Sequence, residues 1–392
     1  MTNLLGNTPL PVAGLQPVVN VRHNWVALAF QLPINCSAKA VLPLLAGEQG
    51  LFEAVGGLPV IIPCADPFAF LPSEVEHLPN GRLILAIPAA RCSITSLDTQ
   101  LRNLQVGGVR CLVEGCVPPE LELPKQVLAM VHDCGSAYSL AAAKETMRKL
   151  SGLHVARRVD TRQQFDECKA AGFSWFMGDY LLQTAGGEGT SRTRLLKLLA
   201  LIGRDAEARE LEALLKQDLA LSFHLLKLVN SAAFAPSNPI TSFTQAINVL
   251  GRRQLQRWLQ LLLYARTDDG IQSSPLLPLA ALRASLMEGL CKAAGGDQEM
   301  QEKAFMVGMF SLLAVALSTA LDEVIVALKL DASLVDALLH KRGHLGALLK
   351  LVEDASRGNV IPDLASCEIS AEQYWPALMK AFRWASVVMQ EA

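Results

Sequence analysis

The chain has 392 residues, 51% of them hydrophobic and 18% charged, which is enough for two or three domains with their own cores and excludes a disordered chain. A formal net charge of -2 and a pI near 6.4 exclude a global pull toward nucleic acid or anionic lipid. Nine cysteines with no CxxC pair fit scattered free thiols in a reducing cytoplasm better than disulfides or zinc.

The opening stretch, MTNLLGNTPLPVAGLQPVV, has no basic residue before Arg22 and is broken by prolines, so it does not read as a secretory signal. Apolar, strand-like runs then begin at Trp25 (WVALAFQLP), Leu58 (LPVIIPC), Arg82 (RLILAIP), Val109 (VRCLVEG), Val127 (VLAMVHD), His154 (HVARRV) and Ser174 (SWFMGDYLL). Helix-like stretches such as SITSLDTQLRNLQ, SAYSLAAAKETMRKL and DTRQQFDECKAAG separate them. Near-continuous hydrophobic strands alternating with amphipathic helices predict a parallel sheet covered on both faces. Seven strands in about 180 residues predict an α/β domain built as a shortened or incomplete (β/α) barrel, with an open doubly wound sheet as the alternative.

Thr184 to Arg194, TAGGEGTSRTR, is Gly-rich and polar. It lacks a GK[ST] or a strand-to-helix GxGxxG, so it reads as a hinge and not as a phosphate cradle. Beyond it the strand pattern stops. LLKLLALIG, LALSFHLLKLV, RRQLQRWLQLLLYA, LAALRASLMEGLCKAA, DEVIVALKL, SLVDALLH and Glu372–Gln390 all carry the helical period. The expected organisation is an α/β domain at 1–185, a linker at 186–194 and an all-α domain at 195–392. Ala304 to Leu321 carries no charge and reaches the length of about 18 residues at which a membrane span is considered. Its Gly308, Ser311, Ser318 and Thr319, and the Asp322–Glu323 that follow, favour a buried core helix.

Several clusters invite a chemical reading. His340 and His344 have the i,i+4 spacing of a helical metal pair, but Gly343 lies between them and no Glu adjoins, which favours a solvated helix end. His132, Asp133 and Cys134 close a strand-like run, where barrel sites are built, yet no second cluster pairs with them. Cys111 and Cys116 flank Glu114 and read as packed thiols. Arg252, Arg253 and Arg257 beside Trp258 could take a phosphate or an acidic partner; the alternative is a helix whose arginines are solvated or paired while Leu255, Trp258, Leu259 and Leu262 pack inward. Asn230 and Ser231 end an apolar helical stripe, Phe234 follows, and Ser242 with Gln245 forms a capping box for the next helix. That pattern favours tying one helix end to the next over ligand contact.

The run LLKLVNSAAFAPSNPITSFTQAINVLGRRQLQRW, Leu225 to Trp258, resembles the signature of HDOD domains. These are helical relatives of the HD phosphohydrolases. Lys303 to Asn359 resembles the version that follows an EAL-like domain, and VARRVDTRQQFDECKAAGFSWFMGDYLL is similar to the last βαβ segment of EAL domains. The resemblance implies an N-terminal EAL-like barrel, a fold that in active form hydrolyses cyclic di-GMP with divalent cations, followed by an HDOD domain. It also implies that the hydrolase residues are missing. The family's first Glu falls at Val26 or Ala27, its metal Asn within Val60–Cys64 and its next Glu within Leu83–Pro88, where none is present. The Asp-Asp pair falls on Glu114–Gly115, the Lys on Met130 and two further acids on Arg157 and Asp160, leaving only Glu114 and Asp160. In the helical half the HD dyad would fall on Phe310–Ser311, and no histidine lies between His224 and His340.

The expectation is therefore a non-catalytic, cytoplasmic, bacterial-type signalling protein with no cofactor, metal or catalytic residue. It would act through contacts with other signalling proteins or a second copy of itself. The candidate interaction or signature positions are Asn230, Ser231, Phe234, Arg252, Arg253, Arg257 and Trp258. A cyclic di-GMP receptor without hydrolysis is the alternative. A nucleic-acid adaptor working through the arginines is a weaker one, because the overall charge opposes it.

Overall fold

In the computed structural model the described residues are 10–183 apart from 48, 49 and 138, then positions 257, 260, 261 and 264, and 275–391 apart from 329, 358 and 359. Eight strands close in sequence order: β1 Gly14–Asn20, β2 Trp25–Gln31, β3 Val60–Pro63, β4 Leu83–Pro88, β5 Arg110–Glu114, β6 Val127–Asp133, β7 Val155–Arg157 and β8 Trp175–Met177. β1 runs antiparallel to both β2 and β8, and the remaining neighbours are parallel. The barrel is thus complete, against the expectation of a shortened or incomplete one, and the open doubly wound alternative is excluded.

The strand that sequence reasoning missed is β1, GLQPVVN. Its Pro17 argues against a central strand because proline cannot donate to a ladder. Here the strand is carried by its hairpin. Asn20 Oδ1 accepts from the backbone N–H groups of Arg22 (2.9 Å) and Asn24 (3.1 Å), a local turn that sends the chain back as β2. Closure through β1 leaves the sheet without an unpaired edge.

Side chains alternate across each strand. The interior takes Val18, Ala27, Ala29, Ile61, Ile84, Ala86, Leu112, Ala129, Val131, Val155 and Met177, with Trp175 packed against them. The many alanines suit a narrow lumen filled by side chains. The outer face is covered by helices. Of α1 Leu51–Ala54, α2 Pro72–Val75, α3 Leu97–Val106, α4 Leu140–Met147 and α5 Arg162–Ala171, the third shows the logic most plainly. Its Leu97, Leu101 and Leu104 form one buried stripe, and each such side chain contributes about 1.5–3 kcal/mol. α5 opens on a Thr161–Gln164 capping box and stops at Gly172, whose φ of 107° gives the left-handed cap.

The chain divides into two compact units, Met1–Gln183 with Leu351–Met379, and Thr184–Lys350 with Lys380–Ala392. This differs from the boundary expected from sequence, in which everything beyond 195 was helical domain. Residues 351–379 belong to the barrel unit because they carry its aromatic fasteners. Trp375 Nε1 donates to the Pro11 carbonyl at 2.9 Å, Tyr374 OH donates to the Ala13 carbonyl at 3.2 Å, and the Trp375 and Phe30 rings lie 6.0 Å apart.

The remaining described helices are α6 Leu276–Ala293, α7 Gln298–Phe310, α8 Leu313–Leu317, α9 Leu321–Leu328, α10 Ala332–His340, α11 Gly343–Ala355 and α12 Ala371–Glu391. The uncharged run from Ala304 is not one helix. It breaks after Phe310, where Ser311 Oγ donates to the Gly308 carbonyl at 2.7 Å, and again at Ser318, with φ 48°. Among the described residues, no helix is long and apolar enough to cross a membrane. Gly308 lets α7 approach α6, since a Cβ there would stand 2.6 Å from the Arg283 carbonyl oxygen.

Candidate functional site

The parallel strands end at one rim of the barrel, the end at which barrel enzymes place their chemistry. Extending the inward alternation of each strand to this rim brings Gln31, Pro63, Pro88, Glu114, Asp133 and Arg157 to the lumen side. The β2–β4 sector offers two prolines and an amide. The β5–β7 sector is ionic.

Arg157 Nη2 lies 2.5 Å from Glu114 Oε1 and 2.9 Å from Asp133 Oδ2, and its Nε donates to Asp133 Oδ2 at 3.0 Å. Arg158 Nε donates to the other oxygen, Asp133 Oδ1, at 2.5 Å, and the Gly135 N–H donates to that oxygen at 2.9 Å. Register explains the convergence: Asp133 pairs with Arg157 across β6 and β7, while Glu114 ends the neighbouring β5. Arg158 contributes because its φ of 53° turns the backbone at the end of β7. Burial alone would raise the Asp133 carboxyl, but Arg158, Arg157 and the Gly135 N–H outweigh it and hold the group below the usual carboxylate range. The arrangement is a carboxylate–guanidinium clamp in which each acid already has a cation.

The strand-end trio His132, Asp133 and Cys134 is not brought together. Asp133 faces the lumen; His132 is buried on the outer face, its ring 5.7 Å from Phe173; and Cys134 Sγ meets Cys168 Sγ at 3.5 Å. Burial lowers the His132 imidazole, with Asp133 opposing. Met130, the position aligned with the family lysine, also lies outside the lumen; its inward neighbours are Ala129 and Val131. Asp160 stands apart from the clamp and accepts the Asp179 N–H at 3.3 Å. Cys111 is buried, which pushes its thiol up to about 12, and Cys116 is half-buried. His340 ends α10 and His344 belongs to α11, so their i,i+4 spacing is broken by Lys341, with φ 53°, and Gly343; both side chains are exposed.

Of the candidate interaction positions, Asn230, Ser231, Phe234, Arg252, Arg253 and Trp258 lie outside the described residues. Arg257 is described, and it is spoken for within its own unit. It pairs with Glu288, and its guanidinium carbon sits 4.2 Å from the Phe305 ring centroid. The paired reading of this arginine is the one the structure shows. Sequence reasoning treated Arg157 as a lost acid and gave no role to Arg158. The available signal was the Arg-Arg dipeptide at one strand end, opposite in sign to the acids ending the two preceding strands.

Comparison with known proteins adds the following. Residues 192–341 match the HDOD domain model, so the helical half carries an HDOD domain. The Bacillus subtilis protein YuxH is 24% identical over 246 residues, covering 60% of this chain and 59% of that protein. The Vibrio cholerae protein named cyclic di-GMP phosphodiesterase CdgJ is 29% identical over 206 residues, 51% of this chain and 47% of that one. The chain thus spans about half the length of these relatives. Solved structures similar to the chain include the EAL domain of Mycobacterium smegmatis DcpA, with 17% identity, a TM-score of 0.35, and coverage of 43% of this chain and 89% of that one. The Pseudomonas aeruginosa FimX EAL domain bound to c-di-GMP has 14% identity, a TM-score of 0.34, and coverage of 43% and 88%.

Proposed function

We propose that this chain, whose closed barrel and HDOD domain fit an EAL–HDOD two-domain family, is a non-catalytic signalling protein of the cytoplasm that acts through protein–protein contacts. The observation that carries the reading is the Glu114–Arg157–Asp133 clamp. Hydrolysis of a phosphodiester by divalent cations needs several oxygen ligands free to hold the metal and lower the pKa of a bound water. At this rim the two inward carboxylates are neutralised by guanidinium groups, and the β3 and β4 positions are prolines. The donor set does not fit a metal pair.

The relative named as a cyclic di-GMP phosphodiesterase makes hydrolysis the reading to beat. The test is direct: the purified chain is incubated with cyclic di-GMP and magnesium or manganese, and the linear dinucleotide is followed by chromatography. No product above the blank is expected, and metal-dependent turnover overturns the proposal. The same sample titrated by calorimetry separates the receptor alternative, because saturable binding without cleavage would replace contact-driven signalling by ligand sensing. The nucleic-acid alternative loses Arg257 to Glu288, and a steep fall of binding with salt would be needed to revive it.

A further inference from the structure

Nine cysteines are present, and all the described ones are free thiols. One pair differs from the others. Cys134, half-exposed in the turn after β6, and Cys168, buried in the body of α5, bring their sulfurs to 3.5 Å, within hydrogen-bond distance for thiols. They are 34 residues apart in sequence, so the approach is made by the tertiary fold. Both sides are anchored. The Cys134 N–H donates to the Arg157 carbonyl at 3.0 Å, and α5 is fixed at its ends by the Thr161 capping box and Gly172. Cys36 and Cys116 are comparably half-exposed but have no sulfur within reach among the described residues.

We propose that Cys134 and Cys168 form a peroxide-responsive dithiol, a modification site that closes to an intrachain disulfide beside the charge clamp. The exposed member meets the oxidant first. The Cys134 sulfur attacks one oxygen of hydrogen peroxide, the O–O bond breaks, and a sulfenic acid and water result. The Cys168 sulfur then attacks the sulfenic sulfur and displaces its oxygen as a second water. Two thiols lose two electrons and two protons, and one peroxide is reduced to two waters. In the reduced pair the shared hydrogen bond raises the Cys134 thiol and lowers Cys168, so exposure governs the first step and makes it slow, and the 3.5 Å approach of the two sulfurs carries the second. The product would tie α5 to the turn that follows Asp133 at the end of β6.

The experiment uses the full chain, reduced, desalted and treated with a small excess of hydrogen peroxide, with or without dimedone to trap sulfenic acids. Non-reducing peptide mapping should show one dominant linked pair, the peptides of Cys134 and Cys168, lighter by two hydrogens and released by dithiothreitol. The titratable thiols should fall by two from nine. Cys36 and Cys116 should instead take up dimedone without cross-linking. In Cys168→Ser, Cys134 should accumulate as the dimedone adduct that the wild type lacks. Sulfinic acid at Cys134 in the wild type without the linked peptide would overturn the proposal, as would a 134–168 link no more abundant than other cysteine pairings. Should Cys168→Ser not fold, the wild-type map decides alone.

Discussion

The two ends of the barrel solve opposite problems. At the C-terminal rim polar groups face inward and are satisfied by one another: Glu114 and Asp133 share Arg157, and Arg158 takes the remaining Asp133 oxygen. At the N-terminal end the walls are apolar and stay open. Trp25, Val26, Leu58, Pro59 and Trp175 line a cleft of about 610 Å³ with Arg110 at its edge. Val21, Leu128 and Leu153 leave apolar surface exposed at this same end. A self-neutralised mouth and, at the opposite end, a guanidinium unpaired among the described residues invert the layout of a barrel enzyme, whose reactive charges are left unpaired at the rim and whose other end serves stability.

The largest expected effect comes from the fastening of residues 351–379 to the rim side of the barrel. Trp375 is 2% exposed, packs on Phe30 and donates to the Pro11 carbonyl. Trp375→Ala should cost about 3–5 kcal/mol in urea unfolding followed by barrel-sensitive fluorescence. A loss below about 1 kcal/mol would remove this segment from the barrel unit. Next in size is Arg157→Ala, which removes the recorded cation partner of Glu114 and leaves Asp133 with Arg158 alone. The side chains of Arg157, Glu114 and Asp133 are 25%, 23% and 15% exposed, so the cost falls below that of breaking a fully buried pair, to about 2–3 kcal/mol near neutral pH. The loss should shrink in acid as the Asp133 carboxyl, held below its usual range, protonates, and a cost that does not change with pH would mean the clamp does not stabilise the rim.

These two effects also mark what was legible in the sequence. The seven parallel strands were readable because buried parallel strands are apolar throughout, and the long covering helices kept their 3.6-residue period. β1 was not, since Pro17 within GLQPVVN hides a strand whose pairing depends on a hairpin and on distant β8. The partition of 351–379 was not either, because a helical pattern says nothing about which core its aromatics enter. At the rim, composition told that acids were missing, whereas only register could show Arg157 standing between the two that remain. Met130, the position on which the family lysine falls, turns away from the lumen because its neighbours Ala129 and Val131 face inward and successive strand residues alternate.

A smaller effect concerns the outer layer near the N-terminal end. His154 Nδ1 accepts the Met130 N–H at 3.3 Å, so the ring must be neutral at that nitrogen. Burial lowers the His154 imidazole below its usual value, and burial likewise lowers His132 and His23. The unfolded chain therefore binds these protons more readily than the folded one. The contribution is complete above about pH 6.5, the unfolded histidine range, and is lost as pH falls from there toward the lowered folded values. His154→Gln, which keeps an acceptor that does not titrate, should cost about 0.5–1.5 kcal/mol at neutral pH and flatten this slope. An unfolding midpoint that falls as steeply with acid in the variant as in the wild type would take His154 out of the account.

The smallest effect sharpens the contrast between the ends. Arg110 opens β5 on the rim of the N-terminal cleft, is exposed, and has no carboxylate partner among the described residues. Arg157 closes the strand two places further round the barrel and has two. If pairing, and not mere presence at a strand end, is what makes an arginine stabilise this barrel, Arg110→Ala should change the unfolding free energy by no more than about 0.5 kcal/mol. The guanidinium also packs near Gly81, so part of any change would be lost contact and not lost charge. Arg110→Met retains the stem without the charge and separates the two: equal stability of both variants and the wild type is the expected outcome. A loss in both variants matching that of Arg157→Ala would show that the ends differ in composition but not in energetics.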